Sequence, residues 1–214
     1  MNRETQSLVC FALKEEAIPF QNLAADLTEV HLLVTGIGRV NAESKLRSFL
    51  ENCRPRFVLT CGFAGALNSQ LAIGDVVFAT GDAMLLERLG RSGARPASFH
   101  CSARVAITAA EKAELRRTTG SDVVEMESEV IQTVCRERGV PCATVRAISD
   151  TADEDLPLDF NQIAKPDANL DLGKLALAIA KSPGKIPALL RLGKNCRLAA
   201  ERLAAVLIKV VEQP

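Results

Sequence analysis

Three carboxylates stand just beyond short apolar runs: Glu16 after Ser7 to Leu13, Glu127 after Val123 to Val124, and Asp150 after Cys142 to Ile148. Ligands of open α/β sheets bind outside the carboxyl ends of the strands, so acids in these positions are placed to meet at one edge. Such a trio suits general acid and base chemistry, with one member kept protonated by burial and like charge. The competing reading is a set of solvated helix starts, where Asp and Glu are favoured by the helix dipole. Two glycine turns point to the same edge, Gly36-Ile37-Gly38 after Val30 to Thr35 and Gly62-Phe63-Ala64-Gly65 after Phe57 to Cys61. Lacking Cβ, they let a ligand approach the backbone, or else they are only tight turns. The G-x-G has no third glycine at the dinucleotide spacing, which argues against a Rossmann cofactor site.

The elements that would position these residues alternate. Strand-length runs include those above together with Asp75 to Ala79 and Val105 to Ile107. Between and after them, helical patterns cover Lys14 to Asn22, Asn41 to Asn52, Ala109 to Thr118, Glu127 to Arg138, Leu172 to Lys181 and Ile186 to Glu212. Thr108 and Glu111 have the spacing of a capping box at the start of one helix. The last helix carries Leu189, Leu192, Cys196, Leu203, Leu207 and Val210 or Val211 on one apolar face, which predicts packing against a sheet. The alternation predicts an α/β fold, a three-layer αβα sandwich around a central mixed sheet. The stretch from Leu85 to Ser98, rich in Gly, Arg and Ser, reads as a mobile loop, and Thr151 to Asn169 as a second irregular segment. Neither separates domains, so residues 1–214 are expected to form one domain.

Composition removes several function classes. Lys plus Arg and Asp plus Glu are 26 each, leaving no positive surplus to neutralise nucleic acid or an anionic membrane. Trp and Tyr are absent, which leaves only eight Phe to stack on bases. The apolar run near the start is too short for a signal peptide or a membrane span, so a cytoplasmic protein is expected. Seven cysteines without a C-x-x-C pair resemble neither a disulfide framework nor a zinc site. His31 and His100 stand alone. Asp150, Asp153, Glu154 and Asp155 could suggest a divalent metal, but their small and apolar neighbours fit a helix entry better. Neither a metal nor a cofactor is expected.

Four segments carry a resemblance: TGIGRVNA at 35–42, CGFAGALNSQLAIGDVV at 61–77, VVEMES at 123–128 and VRAISDTAD at 145–153. In this order they resemble the signatures of the purine nucleoside phosphorylase and methylthioadenosine/S-adenosylhomocysteine nucleosidase superfamily. The tail, SDTADEDLP followed by LDLGKLALAIAKSPGKIPALLRLGK, is more similar to hopanoid-associated phosphorylases of that superfamily. The resemblance implies cleavage of a nucleoside N-glycosidic bond through an oxocarbenium-like ribosyl cation. Asp150 then matches the aspartate that donates a proton or hydrogen bond to purine N7, and Glu16 the group that activates attacking water. Glu127 matches the residue gripping the ribose hydroxyls and Met126 the side chain packing on the sugar. Phe63, Gly65 and Ser149 complete the implied substrate-binding set, and Arg146, on the strand leading to Asp150, would orient the carboxylates.

Departures from the family pattern weigh water against phosphate. The phosphorylases carry an Arg and a Ser where Thr60 and Phe63 stand here, and another phosphate-binding Arg where the Lys14-Glu15-Glu16 carboxylates would repel the anion. Hydrolysis is therefore expected, on a purine nucleoside, an adenine one with a substituted 5′ position. Phosphorolysis on the same scaffold is the alternative. A silent nucleoside-binding protein and a metal-dependent hydrolase also stay open, because Phe63 departs from both branches and VAITAAEK at 105–112 lacks the base-stacking aromatic. A homodimer or larger homo-oligomer is expected, because the short polar loop at 85–98 looks too small to close an apolar site alone.

Overall fold

β1 (Ser7–Phe11) is buried along its whole length, as a strand covered on both faces must be. The computed structural model describes residues 7–163 and 182–213. β2 (Val30–Val34) and β3 (Val58–Ala66) flank β1, both parallel to it. β8 (Cys142–Asp150) runs parallel to β3, and β4 (Val76–Thr80) runs antiparallel to β8 and pairs with the short β5 (Arg95–Pro96). β7 (Val123–Glu125) joins the far end of β3 in the antiparallel sense and carries β6 (Phe99–Cys101). The result is an eight-stranded mixed sheet, with β2-β1-β3-β8-β4-β5 as its main path.

Strand alternation divides the core into two layers. Val9, Phe11, Leu59, Phe78 and Val145 face one side. There they meet α1 (Lys14–Leu23), α3 (Ala83–Arg91) and α7 (Ile186–Val211) through Phe20, Leu89, Leu203 and Leu207. Leu8, Cys10 and Val58 face the other side, against Leu46 of α2 (Arg39–Asn52) and Ile131 and Val134 of α5 (Ser128–Glu137). This is the three-layer sandwich that the alternation of runs predicts. α4 (Ala109–Thr119) begins at the expected capping box: the Glu111 amide donates to Thr108 Oγ1 at 3.1 Å, and the Thr108 amide to Glu111 Oε2 at 3.2 Å. Along α7, Leu203, Leu207 and Val210 are buried, whereas Leu189, Leu192 and Cys196 are half-buried. Among the described residues no helix is long and apolar enough to cross a membrane.

Two sequence expectations are corrected. The segment from Leu85 to Ser98 is no loop: most of it is α3 and β5. Asp82 caps α3 by accepting the Leu85 amide at 2.9 Å, and Leu85 and Leu89 lie one helical turn apart in the core. The arginines that look loop-like lie on the helix, where buried Arg88 stacks 5.8 Å from the Phe57 ring centroid and donates to the Gln213 carbonyl at 2.8 Å. Val105 to Ile107 is not a strand either. Val105 pairs with a side chain instead, the Asn161 amide group taking its N–H at 2.8 Å and donating to its carbonyl at 3.0 Å. α6 (Phe160–Ile163) interrupts the second irregular stretch. The remainder of that stretch and the helix expected over Leu172 to Lys181 lie outside the described residues.

Candidate active site

The parallel strands β1, β3 and β8 end together, and their carboxyl ends carry the acids. α1 begins directly after β1 and buries Glu16 in its first turn, while its neighbour Glu15 stays exposed. The Phe63 amide donates to Glu16 Oε1 at 3.0 Å and the Leu13 amide to Oε2 at 2.9 Å. Burial outweighs these two bonds, and with the neighbouring Glu127 charge it lifts the Glu16 carboxyl from its ordinary 4.5 to about 7. This closeness needs a residue without Cβ opposite: a Cβ on Gly62 would stand 2.8 Å from Glu16 Oε1.

Asp150 reaches the site through a bulge. β3 and β8 pair in regular register as far as Ala64↔Ile148, and then Gly65 faces Asp150, leaving Ser149 as the surplus residue. Were Ile148, Ser149 and Asp150 to alternate strictly, without the bulge, Asp150 would fall on the side of Ile148. With the bulge, Asp150 joins the face of Phe63 and Ala147, which is also the face covered by α1. Gly65 leaves the necessary room, since a Cβ there would stand 3.0 Å from Asp150 Oδ2. Ser149 Oγ donates to Asp150 Oδ1 at 2.7 Å.

The third group of acids surrounds Arg146, whose guanidinium is buried. It lies 2.7 Å from Glu125 Oε2 and 3.9 Å from Glu127 Oε2, and donates to the Thr60 carbonyl at 2.6 Å. Burial alone would raise both glutamates. Glu125 ends below the usual range because Arg146, the Ser128 hydroxyl and two amides outweigh that burial, whereas Glu127, farther from the guanidinium, is raised. The Gly38 amide donates to Glu127 Oε1 at 3.0 Å, so the glycine turn after β2 is tied to the same site. Met126 sits half-buried between the two glutamates.

All eight residues singled out in the sequence thus lie along one sheet edge: Glu16, Phe63, Gly65, Met126, Glu127, Arg146, Ser149 and Asp150. Two partners escaped sequence reasoning. Glu125 anchors Arg146, and its only signal is its place at the end of an apolar run. Lys112 forms an ion pair with Asp150 Oδ2 at 2.6 Å, although EKAELRR reads as a solvated helix face. Cys196 of α7 lies close enough to Asp150 and Glu16 to feel both: burial, then those two charges, push its thiol up to about 11. The acids once open to a metal reading have other partners. Asp155 accepts the Ala109 amide and Glu154 pairs with Arg191, and among the described residues no three metal-binding side chains cluster.

A phosphorylase superfamily model matches residues 24–105 and 97–181. The chain belongs to that superfamily. It is also 31% identical to a 5′-methylthioadenosine/S-adenosylhomocysteine nucleosidase of Glaesserella parasuis, over 63% of this chain and 74% of that one. Among solved structures, the futalosine hydrolase of Helicobacter pylori superposes with a TM-score of 0.74 at 18% identity, covering 97% of this chain and 98% of that chain. A Neisseria meningitidis methylthioadenosine/S-adenosylhomocysteine nucleosidase bound to methylthio-immucillin-A gives 0.72 at 19%, covering 97% and 99%. At such identities the structures establish the shared fold.

Proposed function

We propose that this protein is a nucleosidase that hydrolyses the N-glycosidic bond of a purine nucleoside, an adenine nucleoside with a substituted 5′ position fitting best. One observation carries the reading: Glu16 is buried, held by two backbone amides and poised at about 7, on the sheet face that Asp150 shares. A base with that poise takes a proton from water near neutrality. Asp150 assists departure of the base at N7, Glu127 holds the ribose hydroxyls, and Met126 packs on the sugar. Phe63, Gly65 and Ser149 border the pocket. The nucleosidase relative supports the same chemistry. The scheme uses no metal and no cofactor.

Water rather than phosphate follows from how the cations are engaged. Arg146 is taken up by Glu125, Glu127 and Thr60, and Lys112 by Asp150. A phosphate entering beside Glu16 would meet carboxylates instead of guanidinium groups. In this reading residues 1–214 act as one domain, in the cytoplasm, as a homodimer or larger homo-oligomer. The loop once expected at 85–98 no longer argues for a partner. Exposed Ile18 on α1 and Val40 on α2, both near the elements that carry the site, favour one. The test is incubation with a panel of adenine nucleosides, with and without phosphate and chelator. Free sugar at a rate independent of both additions is expected; a sugar 1-phosphate, formed at a rate that saturates with phosphate, would replace hydrolysis by phosphorolysis.

A further inference from the structure

Lys112 is an unusual residue to find beside an acid catalyst. Its side chain is fully buried, and its three donors are all used: Asp150 Oδ2 at 2.6 Å, the Thr151 carbonyl at 2.7 Å and the Glu154 carbonyl at 2.8 Å. Asp150 in turn accepts from Lys112 on one oxygen and from Ser149 Oγ on the other. Burying an ammonium is costly unless a counter-charge and hydrogen bonds meet it, and here both do. The proton of this pair that Asp150 Oδ2 can receive therefore resides on Lys112 Nζ.

We infer that Lys112 is a positioning residue for the leaving-group step: it holds Asp150 as a carboxylate in the resting enzyme and supplies the proton that Asp150 passes to the departing purine. The inference rests on the nucleosidase reading above. The step balances as follows. Lys112 Nζ gives one proton to Asp150 Oδ2 and becomes a neutral amine. Asp150 gives one proton to the base nitrogen, while the C–N bonding pair leaves with the base. Water adds its oxygen to the ribosyl cation and its proton passes to Glu16. Reprotonation of Lys112 and release of the proton from Glu16 restore the enzyme, so the net reaction is nucleoside plus water to base plus sugar.

The other charges near this pair come from three directions. The Cys196 thiol on α7 lies near Asp150 and near Glu16 of α1, and the Glu154 carboxylate in the following loop is paired with Arg191 at 3.0 Å. Glu111, adjacent to Lys112 on α4, is turned to Arg104 and the helix cap. None of these supplies a second cation to Asp150. Removing the Lys112 charge leaves Asp150 to take its proton from solvent, and although burial without the ammonium favours the protonated form, that form is still lost as pH rises.

The experiment compares wild type, Lys112→Met and Lys112→Gln on two substrates from about pH 5 to about pH 8, a range that spans ordinary carboxyl and imidazole titration. One substrate is a 5′-substituted adenosine. The other is 4-nitrophenyl riboside, whose leaving group departs without a proton. Lys112→Met is expected to lose roughly 10²-fold in kcat on the nucleoside at the alkaline end, with KM little changed, and to regain most of it at the acid end. On the nitrophenyl riboside it stays near wild type throughout. Lys112→Gln, which can still donate to the Thr151 and Glu154 carbonyls, repeats this pattern and decides the matter if the Met variant does not fold. Near wild-type turnover of the nucleoside at alkaline pH overturns the inference. So does an equal loss on both substrates at every pH, which would make Lys112 a clamp on the 151–154 loop. A wild-type protein that cleaves neither substrate defeats the nucleosidase reading itself.

Discussion

Glu16 and Gly62 are matched to each other: a Cβ on the glycine would stand 2.8 Å from Glu16 Oε1, and Gly62 holds a φ of +149° that L side chains rarely adopt. The catalytic candidate and the strand beneath it therefore cannot vary independently.

Gly62→Ala is expected to cost about 1–3 kcal/mol of folding stability, from backbone strain and the displaced carboxylate. Moving the carboxylate should also lower kcat by roughly 10²-fold. Gly81→Ala is the control, because a Cβ there would meet nothing within 4 Å. Urea unfolding and steady-state rates on the two variants check both parts.

The raised Glu16 carboxyl predicts opposite pH trends for stability and activity. The folded protein binds this proton more tightly than the unfolded chain, so its contribution to stability is fully present below about 4.5 and is lost as pH rises through about 7. The loss amounts to roughly 3 kcal/mol at most, from the size of the shift. Activity runs the other way, since the base must be ionised, and kcat/KM should rise through the same range. Glu16→Gln should remove the stability slope and lower turnover by roughly 10² to 10⁴. Unfolding free energies and rates measured across pH test both trends on the same samples.

Asp150→Asn should lower nucleoside turnover by roughly 10² to 10⁴, the contribution of a positioned acid. Asp150→Ala adds a second effect, because it strands the fully buried Lys112 without its anion, at about 3–5 kcal/mol. Near wild-type turnover in the Asn variant would remove Asp150 from the chemistry.

Val40 is 81% exposed at the start of α2, two residues beyond the amide that holds Glu127. If a second copy covers this edge, Val40→Glu should shift the sedimenting species toward monomer, with activity falling in step. An active monomer at micromolar wild-type protein would refute the shared edge.

Much of this site was legible in the sequence because its logic is local. Apolar runs followed by Glu16, Glu127 or Asp150 mark strand ends, whereas Gly62 and Gly65, which read as room for a ligand, instead admit the Glu16 and Asp150 carboxylates. What the sequence hid depends on distance along the chain. Lys112 and Asp150 are 38 positions apart, and nothing in EKAELRR distinguishes its buried lysine from the more exposed charged residues around it. The segment at 85–98 misled because its arginines and glycines resemble loop composition, whereas the Asp82 cap and the Leu85–Leu89 spacing govern the backbone. Val105 misled in the opposite sense: an apolar triplet has strand composition, but its hydrogen bonds go to the side chain of Asn161.

The surplus residue at Ser149 makes the loss of a codon and the straightening of the strand unequal events. Losing the codon would leave the Val58↔Cys142 to Ala64↔Ile148 ladder and both core layers in place and set the aspartate directly after Ile148, opposite Gly65 on the side it already holds, but without the serine hydroxyl at its carboxyl. Keeping the serine while straightening the bulge would instead turn the aspartate to the side of Ile148. The side on which the acid stands is set by how the strand bends there rather than by how many residues it holds.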